Sequence, residues 1–434
     1  MMARQLLLVT LLTGLSQLAA FFKLWFTARI FGVGSELDGY NLALVVPTLV
    51  AGISAGFIQT GFFPLRARLH ARGDIAPTEA LERGLLWCCA ALGGVFAVAT
   101  ALATPWLADL LTPHNLPAAG RAFTLVMPYA AALIALNMVC DYLGYLLVTR
   151  GLFAVAAGAP VVNGITGALL LAAWPQGGLY CLIFGTLAGT SAQLAICLFA
   201  LRHRRFALLG ALPERSAFLP QLRDMLALGA WVLPGVCFSN IVASLPPVWV
   251  GRFGDGAVSA FGYAYRLHSS VVQLLLMASS TLILAHFSDL VAAGNRPAIR
   301  RMLRTAAAVS CGAGLAAMAA VWCLGEPLLG MVFGGRFDAT AASRVTSLWS
   351  GLTVGLGFAL LGNVFAKLWQ AQSRPKLITA MAAASLAGLC IAYYSLRPIL
   401  GELSVAIGLS ASAAAVVLLG IRYLEPRPAA LARP

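Results

Sequence analysis

The sequence predicts an all-α polytopic membrane protein, with twelve transmembrane helices in two pseudo-symmetric six-helix lobes around a central cavity. Three observations predict it. Hydrophobic residues make up 60% of the 434-residue chain and charged ones only 10%, where a soluble domain carries roughly 25% charged residues. Apolar stretches follow one another along the chain, each reaching the ~20 residues that a hydrocarbon core requires. The two halves also resemble each other. Backbone amides in lipid must be satisfied within their own segment, so the spans are helices rather than strands.

Taken in order, the expected spans are 5–31, 39–64, 84–111, 121–149, 151–174, 177–201, 225–251, 257–290, 303–333, 343–372, 376–396 and 401–422. The first begins like a cleavable leader, but its apolar run continues through Phe21, Phe22, Leu24, Trp25 and Phe26, so it is long enough to span. The last two are divided only by Arg397-Pro398 and Gly401-Glu402. Pro47, Pro128, Pro160, Pro234 and Pro246-Pro247 fall inside spans. They mark kinks, which membrane helices tolerate and which often line cavities.

Basic residues orient the bundle. With the N-terminus inside, the inner loops hold Arg4, Arg66, Arg68, Arg72, Arg83, Arg150, Arg202, Arg204, Arg205, Arg215, Arg223, Arg296, Arg300, Arg301, Arg304, Arg374, Lys376, Arg422, Arg427 and Arg433. The outer side holds Arg29, Arg121, Arg252, Arg336, Arg344 and Arg397. An even number of spans puts both termini in the cytoplasm. The net charge of +14 is then explained by basic inner loops against anionic lipid, with no nucleic-acid partner.

All nine cysteines lie in apolar spans, none forms a CxxC pair, and the five histidines are scattered. Neither a disulfide framework nor a metal site is expected. There is no GxxxxGK[ST] loop and no extramembrane region large enough for an ATPase domain. Transport is therefore expected to need no cofactor and to couple to the membrane potential or to a monovalent ion.

At an offset of 222, Arg29–Gly34 lies over Gly251–Gly256, matching Phe31, Gly32 and Gly34 to Phe253, Gly254 and Gly256. The same offset sets Asp141 over Asn363. Six helices per half keep both halves in the same orientation, with a substrate path between them. The expected domains are an N-terminal lobe at 1–201, a cytoplasmic basic linker at 202–223 and a C-terminal lobe at 224–434.

An ionisable group inside a span costs at least ~2.5 kcal/mol at the bilayer centre, so each is a site candidate. Lys23 and Arg266 lie at comparable depth, one in each half, and neither has an acid three or four residues away. They are expected to face the cavity. A cation pair there suits an anionic substrate, because Arg grips a diphosphate through parallel hydrogen bonds and Lys adds a point charge. Asp38 fits either a helix N-terminal acid or a cavity acid. Asp141 fits either a structural pair or a coupling group. Lys367 is close enough to the inner end of its helix to snorkel. Arg29, Arg252 and Asn363 form a second tier.

The stretch Ala28 to Asp38, then Pro47 and Phe63-Pro64, resembles the start of the MviN/MurJ lipid II flippases of the MOP exporter superfamily. Gly256 to Leu267 with Gly294-Asn295, and Ala159-Pro160 through Asn163, are similar to further motifs of that family. The resemblance covers most of the chain. It implies a V-shaped MOP flippase fold with a central cationic cavity and a transporter rather than an enzyme. The cargo would be a polyprenyl-diphosphate-linked glycan, moved from the inner to the outer leaflet of the bacterial cytoplasmic membrane by alternating access. Arg266 falls on a cavity arginine of the family, Asp38 on its acid at the start of helix 2, and Lys23 where arginine is usual. Gln17 replaces a family arginine, Tyr265 an acid, and Ala51-Gly52 two arginines. The family usually has fourteen helices, against the twelve read here. These departures widen the expected cargo from lipid II to lipid-linked anionic glycans. Membrane lipids and cell-envelope biosynthesis enzymes are the expected partners. The competing readings are an exopolysaccharide or O-antigen unit flippase, a cation-coupled MATE-type multidrug exporter and a non-transporting envelope scaffold.

Overall fold

The computed structural model describes residues 2–203, 213–277 and 280–424, which form helices joined by tight turns. In chain order they are α1 (Met2–Phe31), α2 (Ser35–Ala43), α3 (Val45–Arg72), α4 (Ile75–Leu102), α5 (Thr104–Leu111), α6 (Pro117–Thr149), α7 (Phe153–Ala173) and α8 (Gly178–His203). They continue as α9 (Arg215–Ala230), α10 (Leu233–Val250), α11 (Ala257–Met277), α12 (Ser280–Ala292), α13 (Arg296–Val332), α14 (Ala339–Thr353), α15 (Leu356–Ala371), α16 (Pro375–Leu400) and α17 (Leu403–Arg422). Among the described residues, 11 segments are long and apolar enough to cross a membrane.

The difference from twelve falls on the eighth expected span, 257–290. Its described parts are α11 and α12, and neither alone qualifies among the described residues. Residues 278–279, between them, lie outside the described residues, as do Arg204, Arg205, Arg427 and Arg433. A second difference is α9. Most of it falls outside the expected spans, and the seventh span starts at Leu233 rather than at 225. Proline explains the break. It has no N–H, and its ring clashes with the carbonyl four residues back. Pro234 stands four residues after Ala230, where α9 ends, and Pro47 four residues after Ala43, where α2 ends.

Packing groups the chain into two compact units. Unit 1 comprises Met1–Leu233, Ala243–Tyr263 and Pro327–Ser343. Unit 2 comprises Pro234–Val242, Ala264–Glu326 and Arg344–Pro434.

In unit 1 a hydrophobic core joins α3, α4, α6, α8 and α9. Phe62, Leu81, Ile134, Tyr142 and Leu143 are fully enclosed there, and Phe62 meets Tyr142 edge-on at 5.6 Å. Glycine sets the helix spacing. A Cβ at Gly93 would fall 2.8 Å from the Cα of Ala135, and one at Gly164 would fall 2.8 Å from the Cβ of Ala19. Small residues of this kind let helix backbones approach where lipid supplies no hydrophobic drive between helices. The buried face of α9 follows helical spacing, with Phe218 against Gly84, Met225 against Gly61 and Gly229 against Phe57. The glycines aligned by the internal repeat, Gly32 (φ 63°) and Gly254 (φ 111°), both adopt positive φ just before a new helix begins.

In unit 2, α15 packs Val364, Phe365, Leu368 and Trp369 against Phe287, Leu303, Met381 and Val417. Helices α16 and α17 reverse at Gly401 (φ 54°) and close up where Gly388 meets Ala415. Ser410 donates to the carbonyls of Gly351 (2.7 Å) and Leu352 (3.2 Å), next to the end of α14. Arg344 forks onto Glu402, Nη2 to Oε2 at 2.7 Å and Nε to Oε1 at 3.0 Å.

Cysteines 89, 140, 181 and 197 are buried free thiols, whereas Cys311 and Cys323 on α13 are exposed.

Candidate functional site

Lys23 of α1 is half-buried in unit 1 and donates from Nζ to Thr186 Oγ1 at 2.8 Å. The same hydroxyl lies 3.0 Å from Tyr40 Oη and donates to the Leu182 carbonyl at 2.9 Å. Gly167 makes room for the lysine stem, since a Cβ there would stand 3.1 Å from Lys23 Cδ. One and two turns further along α8, Thr190 and Gln193 continue the polar face. Asn163 of α7 donates from Nδ2 to Gln193 Oε1 at 3.0 Å and reaches Thr190 Oγ1 at 3.5 Å. Polar side chains that meet between membrane helices mark a functional region by default. Of this group the sequence alone marks only Lys23 as a site residue and Asn163 as part of a motif. The spacing of Thr186, Thr190 and Gln193 is the signal that could have added the rest.

Asp38 differs from the cavity acid expected. It is only 1% exposed, and its Oδ1 accepts the backbone N–H of Ser259 at 2.6 Å. Ser259 is the third residue of α11, so Asp38 serves as an N-terminal cap lent by another helix. The neighbouring bonds fasten the same junction. Ser259 Oγ accepts from Gly34 N at 3.2 Å, Ser35 donates to Asp255, and Tyr263 Oη donates to the Gly32 carbonyl at 3.0 Å. Asp38 Oδ2 is enclosed and has no hydrogen-bond partner among the described residues.

Arg29 is exposed and lies over the Trp25 ring at 5.3 Å. Its carbonyl accepts Arg336 N at 3.2 Å. Arg252 is exposed on the turn before α11. Asp141 is half-buried on α6, within electrostatic reach of Cys89, Cys140 and Tyr145. No salt bridge among the described residues includes it.

Three charged residues that carry no site signal in the sequence come together in unit 1. Glu82 of α4 is 1% exposed on its side chain and pairs with Arg66 of α3 at 2.7 Å and with Arg150, just after α6. Tyr142 Oη donates to the Glu82 carbonyl at 2.6 Å. One carboxylate thus ties three elements, with each oxygen on its own guanidinium.

In unit 2, Arg266 is exposed on α11 and forms no ion pair with an acid among the described residues. Asn363 and Lys367 are half-buried on α15. The structure therefore places Lys23, Asp38, Asp141, Arg29 and Arg252 in unit 1 and Arg266 and Asn363 in unit 2. Within unit 1 it brings Lys23 next to Tyr40, two residues from Asp38.

Comparison with known proteins agrees with this architecture. The lipid II flippase MurJ of Burkholderia cenocepacia is 24% identical, over 98% of this chain and 85% of that protein. A lipid II flippase MurJ solved in an inward closed conformation superposes with a TM-score of 0.82 at 16% identity, covering 97% of this chain and 88% of that one. An inward-facing MATE family multidrug transporter of the MOP superfamily gives a TM-score of 0.79 at 15% identity, covering 96% and 94%. Both structures share the all-helical fold of this inner-membrane protein. The sequence decides the branch: a model of the lipid II flippase MurJ family matches residues 27–432, so the chain belongs to that family.

Proposed function

We propose that the chain carries a polyprenyl-diphosphate-linked glycan, lipid II or a related precursor, from the inner to the outer leaflet by alternating access, with both termini in the cytoplasm. The observation that carries this reading is Arg266. It is an exposed guanidinium on α11 with no acid partner among the described residues, in a chain of the lipid II flippase family. A cation kept inside a membrane helix without a carboxylate suits an anionic cargo. Lys23, which donates to Thr186 in unit 1, is a further cation proposed to act on the cargo. Asp38 is left out of the contact set because capping occupies it. Coupling to the membrane potential or a monovalent ion is assigned to Asp141, and envelope biosynthesis enzymes are the natural neighbours of such a carrier.

The test is complementation of a flippase-depleted strain. Arg266→Ala should insert normally and abolish growth support. Arg266→Lys should recover only part of it, because a point charge cannot make the forked contact. Full activity in Arg266→Ala would overturn the reading.

A further inference from the structure

Helix α13 is 37 residues long. At 1.5 Å per residue it spans about 55 Å, far more than the ~30 Å of a hydrocarbon core. Its first turns therefore reach beyond the core into the headgroup layer. Arg296, Arg300, Arg301 and Arg304 occupy those turns, all exposed. Positions 296, 300 and 304 recur every four residues and share one stripe, with Arg301 beside it. Together with Pro297 they line a single open cavity of about 440 Å³. None of the four pairs with an acid among the described residues. This arrangement opposes the ordinary preferences of a helix. Cations sit at the positive end of the dipole, and like charges face each other one turn apart. A bound anion reverses both penalties.

Below the arginines the same stripe turns apolar. Ala308, Cys311 and Leu315 follow Arg304 at intervals of four, three and four residues, and all are exposed. A molecule with a phosphate head and a hydrocarbon tail matches both parts of the stripe at once.

We propose that this arginine cavity is a docking site for the diphosphate headgroup of a membrane lipid, whose tail lies along α13. The proposal rests on the inner-side orientation given under Proposed function. It makes the site a place where cargo waits before entering the transport path. Arginine forks provide parallel bonds to the phosphate oxygens.

The experiment uses the full chain in phosphatidylcholine nanodiscs doped with undecaprenyl diphosphate, with binding read as thermal stabilisation. The parent should be stabilised by the lipid diphosphate. It should be stabilised less by phosphatidylglycerol at equal total charge, and not by free inorganic diphosphate. The double variant Arg300→Gln with Arg304→Gln should melt like the parent without lipid and bind roughly tenfold more weakly. Equal binding by the double variant overturns the site. Equal stabilisation by phosphatidylglycerol also overturns it, by reducing the cluster to a general anchor. Full competition by inorganic diphosphate overturns the lipid assignment. Flipping measured on the same protein separates the two readings. A parent that binds the lipid but moves none of it sinks the transport reading and leaves this site standing.

Discussion

Two arginine groups in this protein face opposite circumstances. In unit 1, Arg66 and Arg150 close on Glu82, which is almost completely shielded from solvent. In unit 2, the four arginines that open α13 stand exposed around an open cavity with no acid partner among the described residues. By sequence the two groups look alike, as inner-loop cations that orient the bundle. The structure separates them. The first spends its charge inside the fold, where removing Glu82 leaves two guanidinium groups without their counter-ion. The second keeps its charge available, where it can recognise something outside the chain. Positive charge at a membrane face is thus not a single property. Enclosure and the presence of a counter-ion decide whether it holds the fold together or binds.

The contrast is most exposed to failure at Glu82. Glu82→Gln should destabilise unit 1 by about 3–5 kcal/mol, because two guanidinium groups lose their counter-charge. Thermal melting of the purified protein checks this. A melting temperature equal to the parent's would mean that the triad contributes nothing. Replacing Arg66, Glu82 and Arg150 together with apolar residues of similar size should recover most of the loss.

Asp38 sharpens the comparison at smaller scale. Asp38→Ala should cost about 0.5–2 kcal/mol, the range for a lost helix cap. Asp38→Asn should cost much less, because its carbonyl oxygen can still accept the Ser259 N–H. If the two variants melt alike, capping is not the role of this side chain.

Asp141 should show the smallest effect on folding. It makes no salt bridge among the described residues, so Asp141→Asn should accumulate normally. Its transport should depend differently on pH, if the coupling role proposed for it above holds. An unchanged pH profile would reduce Asp141 to a packed polar residue.

Much of the fold is legible in the amino-acid sequence. Runs of apolar residues long enough to cross a bilayer are an unambiguous signal. Prolines also announce breaks, although Pro47 and Pro234 end the preceding helix four residues earlier rather than at their own positions. Helix α9 is hidden because Arg215, Pro220 and Arg223 give it a loop's composition, while Phe218, Leu222, Met225 and Gly229 carry a helical period. The role of Glu82 is hidden because its partners lie 16 and 68 positions away, and periodicity within one helix cannot report such a contact. Asp38 is legible as an acid beginning a helix. That it caps a different helix, more than two hundred residues on, follows only from the fold.

The free thiols have an experimental consequence. Cys311 and Cys323 are exposed on α13, while Cys89, Cys140, Cys181 and Cys197 are buried. A maleimide small enough to enter the detergent belt should label the α13 pair first, with its two sites about 18 Å apart along the helix axis. The wild-type chain thus carries its own attachment points for a spectroscopic ruler on unit 2, and a matching reporter on unit 1 would have to be engineered.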